Sequence, residues 1–260
     1  MSDLYFRLDT GDGMSDDEIL AGILAALRQE PRIGAGFTPA RLALDGTGTL
    51  TLAGEVASVA AKKRALEIAA RPTEVRGVID RLRLAPATAM NDAEILAHLQ
   101  KFFLAEPAFR GFAIRSAPIG PAPGAADYAT VLADPDDPRG RIDIEVREGV
   151  VILNGAVPGL VSQRLAGVMA WWVPGVRDVV NGLAPEPPER DAPIRIEEAV
   201  RIVLDRDPHV DDGQIRIGVR YRTVRLTGLV RSAAERDMAE ADAWCVLGVD
   251  DVINEIETAP

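Results

Sequence analysis

The sequence predicts an α+β chain of three tandem two-layer sandwiches, each ordered helix, strand, strand, helix, strand around a three-stranded mixed sheet. Three observations predict it. The pattern L-x-G-x-V occurs three times, at Leu52, Gly54 and Val56, at Leu153, Gly155 and Val157, and at Leu226, Gly228 and Val230. With the glycines set as a common zero, the copies stay in phase without a gap for 28 residues. Upstream of every glycine an amphipathic helix pattern ends on an acidic residue and a proline: Glu30-Pro31, Glu106-Pro107 and Asp207-Pro208. The implied boundaries are an N-terminal extension at 1–14, repeat 1 at 15–86, repeat 2 at 90–185 with an insertion at about 110–140, and repeat 3 at 193–258.

Each element has a local reason. Ser15 with Glu18 and Asn91 with Glu94 predict caps at the first two helix starts, and Pro193 suits the first turn of the third. Ile19, Ile23 and Leu27 fall on one helical face. The strands alternate with period two, most clearly as Ile142, Ile144 and Val146 against Arg141, Asp143, Glu145 and Arg147, and Glu148-Gly149 predicts the hairpin turn. The second helix opens at Ser58, Gly159 or Ser232, with Ser232 and Glu235 predicting a capping box. It carries alanine in every copy, at Ala65 and Ala69, Ala166 and Ala170, and Ala239 and Ala243. The last strand follows two valines, Val75 and Val78, Val176 and Val179, or Val249 and Val252, and contains Asp80, Asn181 or Asn254. Period two puts Leu52, Gly54 and Val56 on one face, so the expectation is that each glycine makes room for the alanine stripe of a crossing helix.

Composition excludes several classes. The chain has 260 residues, 47% of them hydrophobic, so it has enough apolar side chain for packed cores. No apolar run approaches the roughly 18 residues of a membrane span. The start, "MSDLYFRLDTGDGMSD", lacks the basic and apolar regions of a secretory signal, so the expected location is cytoplasmic, peripheral to a membrane if lipid is bound, unless a leaderless export route operates. A single cysteine, Cys245, excludes an internal disulfide and a cysteine metal cluster. The net charge of −11 argues against nucleic acid as a partner. His98 and His209 have no partner pattern, and neither phosphate-loop glycine motif occurs, so no catalytic residue, metal site or cofactor is expected.

The hairpin "EGVVILNGAV" followed by "PGVRDVVNGL" in repeat 2, and "LGVDDVINEI" in repeat 3, resemble the BON domain family (bacterial OsmY and nodulation). Repeat 1 departs from that pattern, with Glu74 and Asp80 in "TEVRGVIDRL" where the family favours glycine and asparagine. The resemblance spans residues 15–84, 91–184 and 194–258. It implies a small α/β sandwich associated with phospholipid surfaces, envelope maintenance or stress, with no enzymatic activity, in a family whose members are often periplasmic.

Differences among the copies direct attention to candidate sites. The proline-to-glycine spacing is 23 residues in repeat 1, 20 in repeat 3 and 48 in repeat 2. The surplus is rich in proline and glycine, as in a partner-binding loop or a linker. Trp171 and Trp172 sit on a helix apolar on more than one side, which fits burial against neighbouring chain or a second subunit, or insertion at a lipid interface. Acidic residues outnumber basic ones in every third of the chain: 12 to 11 in residues 1–88, 12 to 8 in 89–188 and 16 to 10 in 189–260. Repeat 1 is therefore the best placed for an anionic headgroup, through Lys62, Lys63, Arg64 and Arg71, while Arg216, Arg220, Arg222 and Arg225 line or adjoin the outer sheet face of repeat 3.

Two function classes follow. One is a binding protein associated with lipid or envelope, with anionic phospholipid as its ligand. The other is a scaffold whose units build rings or oligomers, with a homo-oligomer or protein partner met through repeat 2, and with "DLYFRLD", residues 3–9, available to extend a sheet edge.

Overall fold

The computed structural model describes residues 15–120 and 130–259, so the expected strand at residues 3–9 lies outside the described residues. The backbone divides into two compact units, one formed by residues up to 55 with 64–82 and the other by 56–63 with 83–260.

The first unit holds most of repeat 1: α1 (Asp16–Gln29), β1 (Arg41–Leu44), most of β2 (Thr49–Val56), the later part of α2 (Val59–Ala69) and most of β3 (Gly77–Leu84). The sheet order is β1-β2-β3. A capping box opens α1: the Ser15 hydroxyl accepts from the Glu18 amide at 3.3 Å, and the Glu18 carboxylate accepts from the Ser15 amide at 2.9 Å. The helix stops at Glu30 because the following proline pushes it into extended backbone. Ile19, Ile23 and Leu27, four residues apart, are buried, as are Leu50, Leu52, Ile68 and Leu82 of the same unit. Their burial is the main stabilising term here, at roughly 1.5–3 kcal/mol for each large side chain.

The second unit contains repeats 2 and 3. Repeat 2 runs α3 (Asp92–Ala105), β4 (Phe112–Ser116), β5 (Thr130–Ala133), β6 (Gly140–Arg147), β7 (Val150–Val157), α4 (Leu160–Trp171) and β8 (Asp178–Pro185). Repeat 3 runs α5 (Pro193–Arg206), β9 (Ile215–Arg220), β10 (Thr223–Val230), α6 (Ala233–Cys245) and β11 (Asp251–Thr258). The order β11-β10-β9 has an antiparallel hairpin and a parallel third strand, the crossover being α6. The two repeats do not have separate cores. One continuous cluster joins Leu99, Phe103, Ile142, Leu153 and Val168 of repeat 2 to Ile196, Val200, Leu226, Trp244 and Val252 of repeat 3.

Three expectations need correction. The repeat 2 sheet has five strands rather than three, in the order β5-β4-β6-β7-β8. The insertion, whose residues 121–129 lie outside the described ones, supplies β4, parallel to β6, and β5, antiparallel to β4. It therefore covers the edge of β6, whereas among the described residues β1 and β9 are edge strands in the other repeats.

The strand glycine is not explained by the helix alanines. All six alanines are fully buried, but a Cβ on Gly155 would lie 2.2 Å from the Arg141 carbonyl oxygen of the paired strand, and one on Gly228 would lie 2.0 Å from that of Gln214. Both glycines have positive φ, +126° and +146°, which L side chains rarely adopt. The neighbouring backbone is the obstacle.

The third correction concerns α6. Ser232 accepts from the Glu235 amide at 3.2 Å, yet no reciprocal box closes, because the Glu235 carboxylate turns to the amides of Arg231 and Asp211, at 3.0 and 2.8 Å. At α4 the N-cap Gly159 has no side chain, and Glu189 supplies the missing acceptor to the Leu160 amide at 2.9 Å.

Asn181 and Asn254 fasten the third strand to the second helix. The Asn181 amide donates to the Gln163 carbonyl at 2.7 Å and accepts from the Leu183 amide at 3.3 Å; Asn254 repeats the pattern with Arg236 and Ile256, at 3.1 Å each. In repeat 1 Asp80 keeps the acceptor half, with the Leu82 amide at 2.9 Å.

Candidate interaction surface

The basic residues of α2 have different surroundings from one another. Lys62 is buried, and its ammonium lies 2.8 Å from one oxygen of Asp178, whose other oxygen takes Arg83 at 2.8 Å. Lys63 donates to the carbonyls of Trp244, Val246 and Val249 at 2.6, 3.0 and 2.9 Å. These oxygens belong to the last turn of α6 and the loop after it, where carbonyls lack helical partners and the helix dipole is negative. Burial pulls the Lys63 amine down to about 8, against the opposing pull of Cys245 and Asp250. Neither ammonium is open to a headgroup. Arg64 pairs with Glu67 and Glu30, and Arg71 with Glu67, on the surface of the first unit.

Repeat 2 uses its candidates internally as well. Trp171 and Trp172 pack partly buried against the shared core, and the Trp172 indole donates to Asp242 at 2.7 Å. Burial raises the Asp242 carboxyl to about 8, the Trp172 hydrogen bond opposes the shift, and the neighbouring Asp207 carboxylate adds to it. Burial likewise pushes the Cys245 thiol up to about 12, away from the range of reactive thiolates.

Sequence reasoning missed Arg164. It is 2% exposed, donates to the Leu247 carbonyl at 2.7 Å and pairs with Asp191 at 2.7 Å. The signal was available: Lys63 and Arg164 both stand nine positions after their strand glycine, where repeat 3 has Asp237.

The outer face of repeat 3 is built differently. Arg216 and Arg220 project from edge strand β9, Arg225 from β10, and Asp251, Glu255 and Glu257 from edge strand β11. Arg225 pairs with Glu255 at 2.7 Å and Arg222 with Asp250 at 2.8 Å, while Arg220 lies 5.4 Å from the ring centre of Tyr221. Among the described residues Arg216 and Arg220 form no ion pair. A shallow groove of about 590 Å³ runs over this face, lined by Gly218, Arg220, Tyr221, Thr223, Arg225 and Ile253. Of its lining, Ile253 and Tyr221 stay exposed at 37% and 77%, as does Leu229 of the same face at 51%. The same face of repeat 2 is self-paired: Arg115 and Arg141 hold Asp143 at 2.9 and 3.1 Å, and Arg147 holds Glu145.

No curated protein matches the chain. Among solved structures it is similar to the C-terminal domain of CdsD, the structural protein of the Type III secretion system of Chlamydia trachomatis. That likeness has 13% identity and a TM-score of 0.24 over 95% of this chain and 100% of that one. A second CdsD structure gives 14% and 0.24 over 93% and 92%. At that level the likeness carries no inference about activity. The BON domain model matches residues 15–86, 128–185 and 195–260, and the second match begins only within the insertion. With three matched segments over most of its length, in the places where the in-phase glycines fall, the chain belongs to the BON domain family.

Proposed function

We propose that the chain is a non-enzymatic scaffold that meets protein surfaces, copies of itself included, through the open faces of its sheets. One contrast carries this reading. Lys62, Lys63, Trp171 and Trp172, the residues best suited to a lipid surface, are engaged within the chain, whereas the repeat 3 sheet presents charged and apolar side chains that no layer covers among the described residues. An exposed patch of this kind marks an interaction site in a protein. Anionic phospholipid is a second reading, supported by Arg216 and Arg220, which make no internal ion pair among the described residues.

Light scattering against protein concentration, with co-sedimentation on anionic vesicles in parallel, tests the proposal. The expected result is a mass that rises with concentration and little vesicle binding at low salt. A strict monomer that co-sediments with vesicles, and is released by salt, would overturn the scaffold reading in favour of lipid.

A further inference from the structure

The register of the repeat 3 sheet says which partner its outer face fits. Strand pairing sets the face in levels. Arg220, Thr223 and Asp251 share one level, Gly218, Arg225 and Ile253 the next, and Arg216, Thr227 and Glu255 the third; Leu229 and Glu257 share the last. The β9 edge is thus basic and the β11 edge acidic. The middle level has no side chain on β9 and a partly exposed isoleucine on β11.

We propose that this face stacks on the same face of a second copy of the chain, about a twofold axis nearly parallel to the strands. This deepens the scaffold reading and rests on it. Such an axis exchanges left and right across the face but keeps the levels, so β9 of one copy lies over β11 of the other. Arg220 then opposes Asp251 of the second copy, Gly218 opposes Ile253, and Arg216 opposes Glu255. Both arginines of β9 meet an acid, and the isoleucine meets the gap above the glycine. Aligned sheets pack at about 30° and about 10 Å, within reach of arginine side chains. Arg225 is the group nearest the axis, and Glu255 holds it on its own sheet, both carboxylate oxygens lying 2.7 Å from its Nη1.

Other self-pairings fit less well. A twofold axis across the strands would set β9 over β9, arginine against arginine. Joining two β9 edges side by side would likewise crowd the arginines of both copies on one face, which is unfavourable for like charges. Three strands spaced about 4.8 Å apart, with up to eight residues at about 3.4 Å, cover roughly 400 Å² per copy. A stable complex covers about 800 Å² per partner, so this pair is weak, reversible and salt-sensitive.

The test uses the full chain and two reciprocal charge reversals at the Arg220 and Asp251 level, R220E and D251R, with folding checked by circular dichroism. At low salt, up to about 1 mM protein, the unmodified chain approaches twice its monomer mass, and about 0.5 M salt returns it to monomer. Each variant alone stays monomeric, and an equimolar mixture regains the dimer mass because the reversed edges now complement each other. If the unmodified chain associates and both variants associate equally well, this face is excluded while the scaffold reading stands. If the unmodified chain stays monomeric throughout, the homotypic pair is excluded. Loss of association in both variants without recovery in the mixture would overturn the proposed register.

Discussion

Lys63 and Arg164 stand at the same position of successive repeats and end on the same target, the last turn of α6 and the loop after it: Lys63 takes the carbonyls of Trp244, Val246 and Val249, and Arg164 that of Leu247. A repeated residue has been turned into two clamps on one helix end.

Replacing either cation with methionine keeps much of its length and removes its donors. Lys63→Met strands up to three carbonyls, and Arg164→Met strands one carbonyl and the Asp191 carboxylate. Each is expected to cost about 1–3 kcal/mol. Chemical denaturation of both single variants and the double variant checks this. Because the two side chains hold one short segment, the double loss is expected to fall short of the sum by about 0.5 kcal/mol or more.

A methyl group at Gly155 has no room and the wrong backbone. Gly155→Ala is expected to lower stability by about 2 kcal/mol or more, from strain and displacement of the Arg141 carbonyl. Gly218, on a strand of the repeat 3 sheet, has nothing within 4 Å of the place a methyl group would take, and its alanine variant is expected to be neutral or up to about 1 kcal/mol more stable. Melting both variants beside the parent separates this account from a general intolerance of side chains on the sheets.

The buried Asp242 carboxyl makes stability depend on pH. The folded Asp242 carboxyl titrates near 8, above its ordinary 3.8, so the folded protein holds a proton that the unfolded chain releases. Its stabilising contribution is full below about pH 4 and is lost as pH rises through about 8. Lys63 acts oppositely but only above its own value near 8, so the window between pH 5 and 8 separates Asp242 from it. The melting temperature of the parent is expected to fall across that window, and that of Asp242→Asn to stay flat, since an amide accepts from Trp172 and donates to Asp207 without titrating. Equal slopes for the two proteins would remove Asp242 as the source.

Much of the fold was written locally. Ser15 with Glu18 and Asn91 with Glu94 form their boxes, and Glu30, Glu106 and Asp207 close their helices where proline follows, because caps and prolines act within four residues. What depended on distant chain was not legible. The obstacle at Gly155 is a carbonyl 14 residues upstream, and the acceptor that caps α4 is Glu189, 29 residues from Leu160. The basic stripe on α2 and the two tryptophans of repeat 2 have the composition of a membrane contact. Only tertiary structure reveals that Lys62, Lys63 and Trp172 already have partners.

The common core of repeats 2 and 3 changes what a repeat means in this chain. Copies joined like beads can be deleted, duplicated or shuffled singly, because each buries its own apolar surface. Here Val168, Trp244 and Ile196 belong to one cluster, so removing repeat 3 would leave repeat 2 with an uncovered apolar wall. The inherited unit is one sandwich long, but the smallest piece of the second unit that can melt, be excised or be exchanged as a whole is the pair.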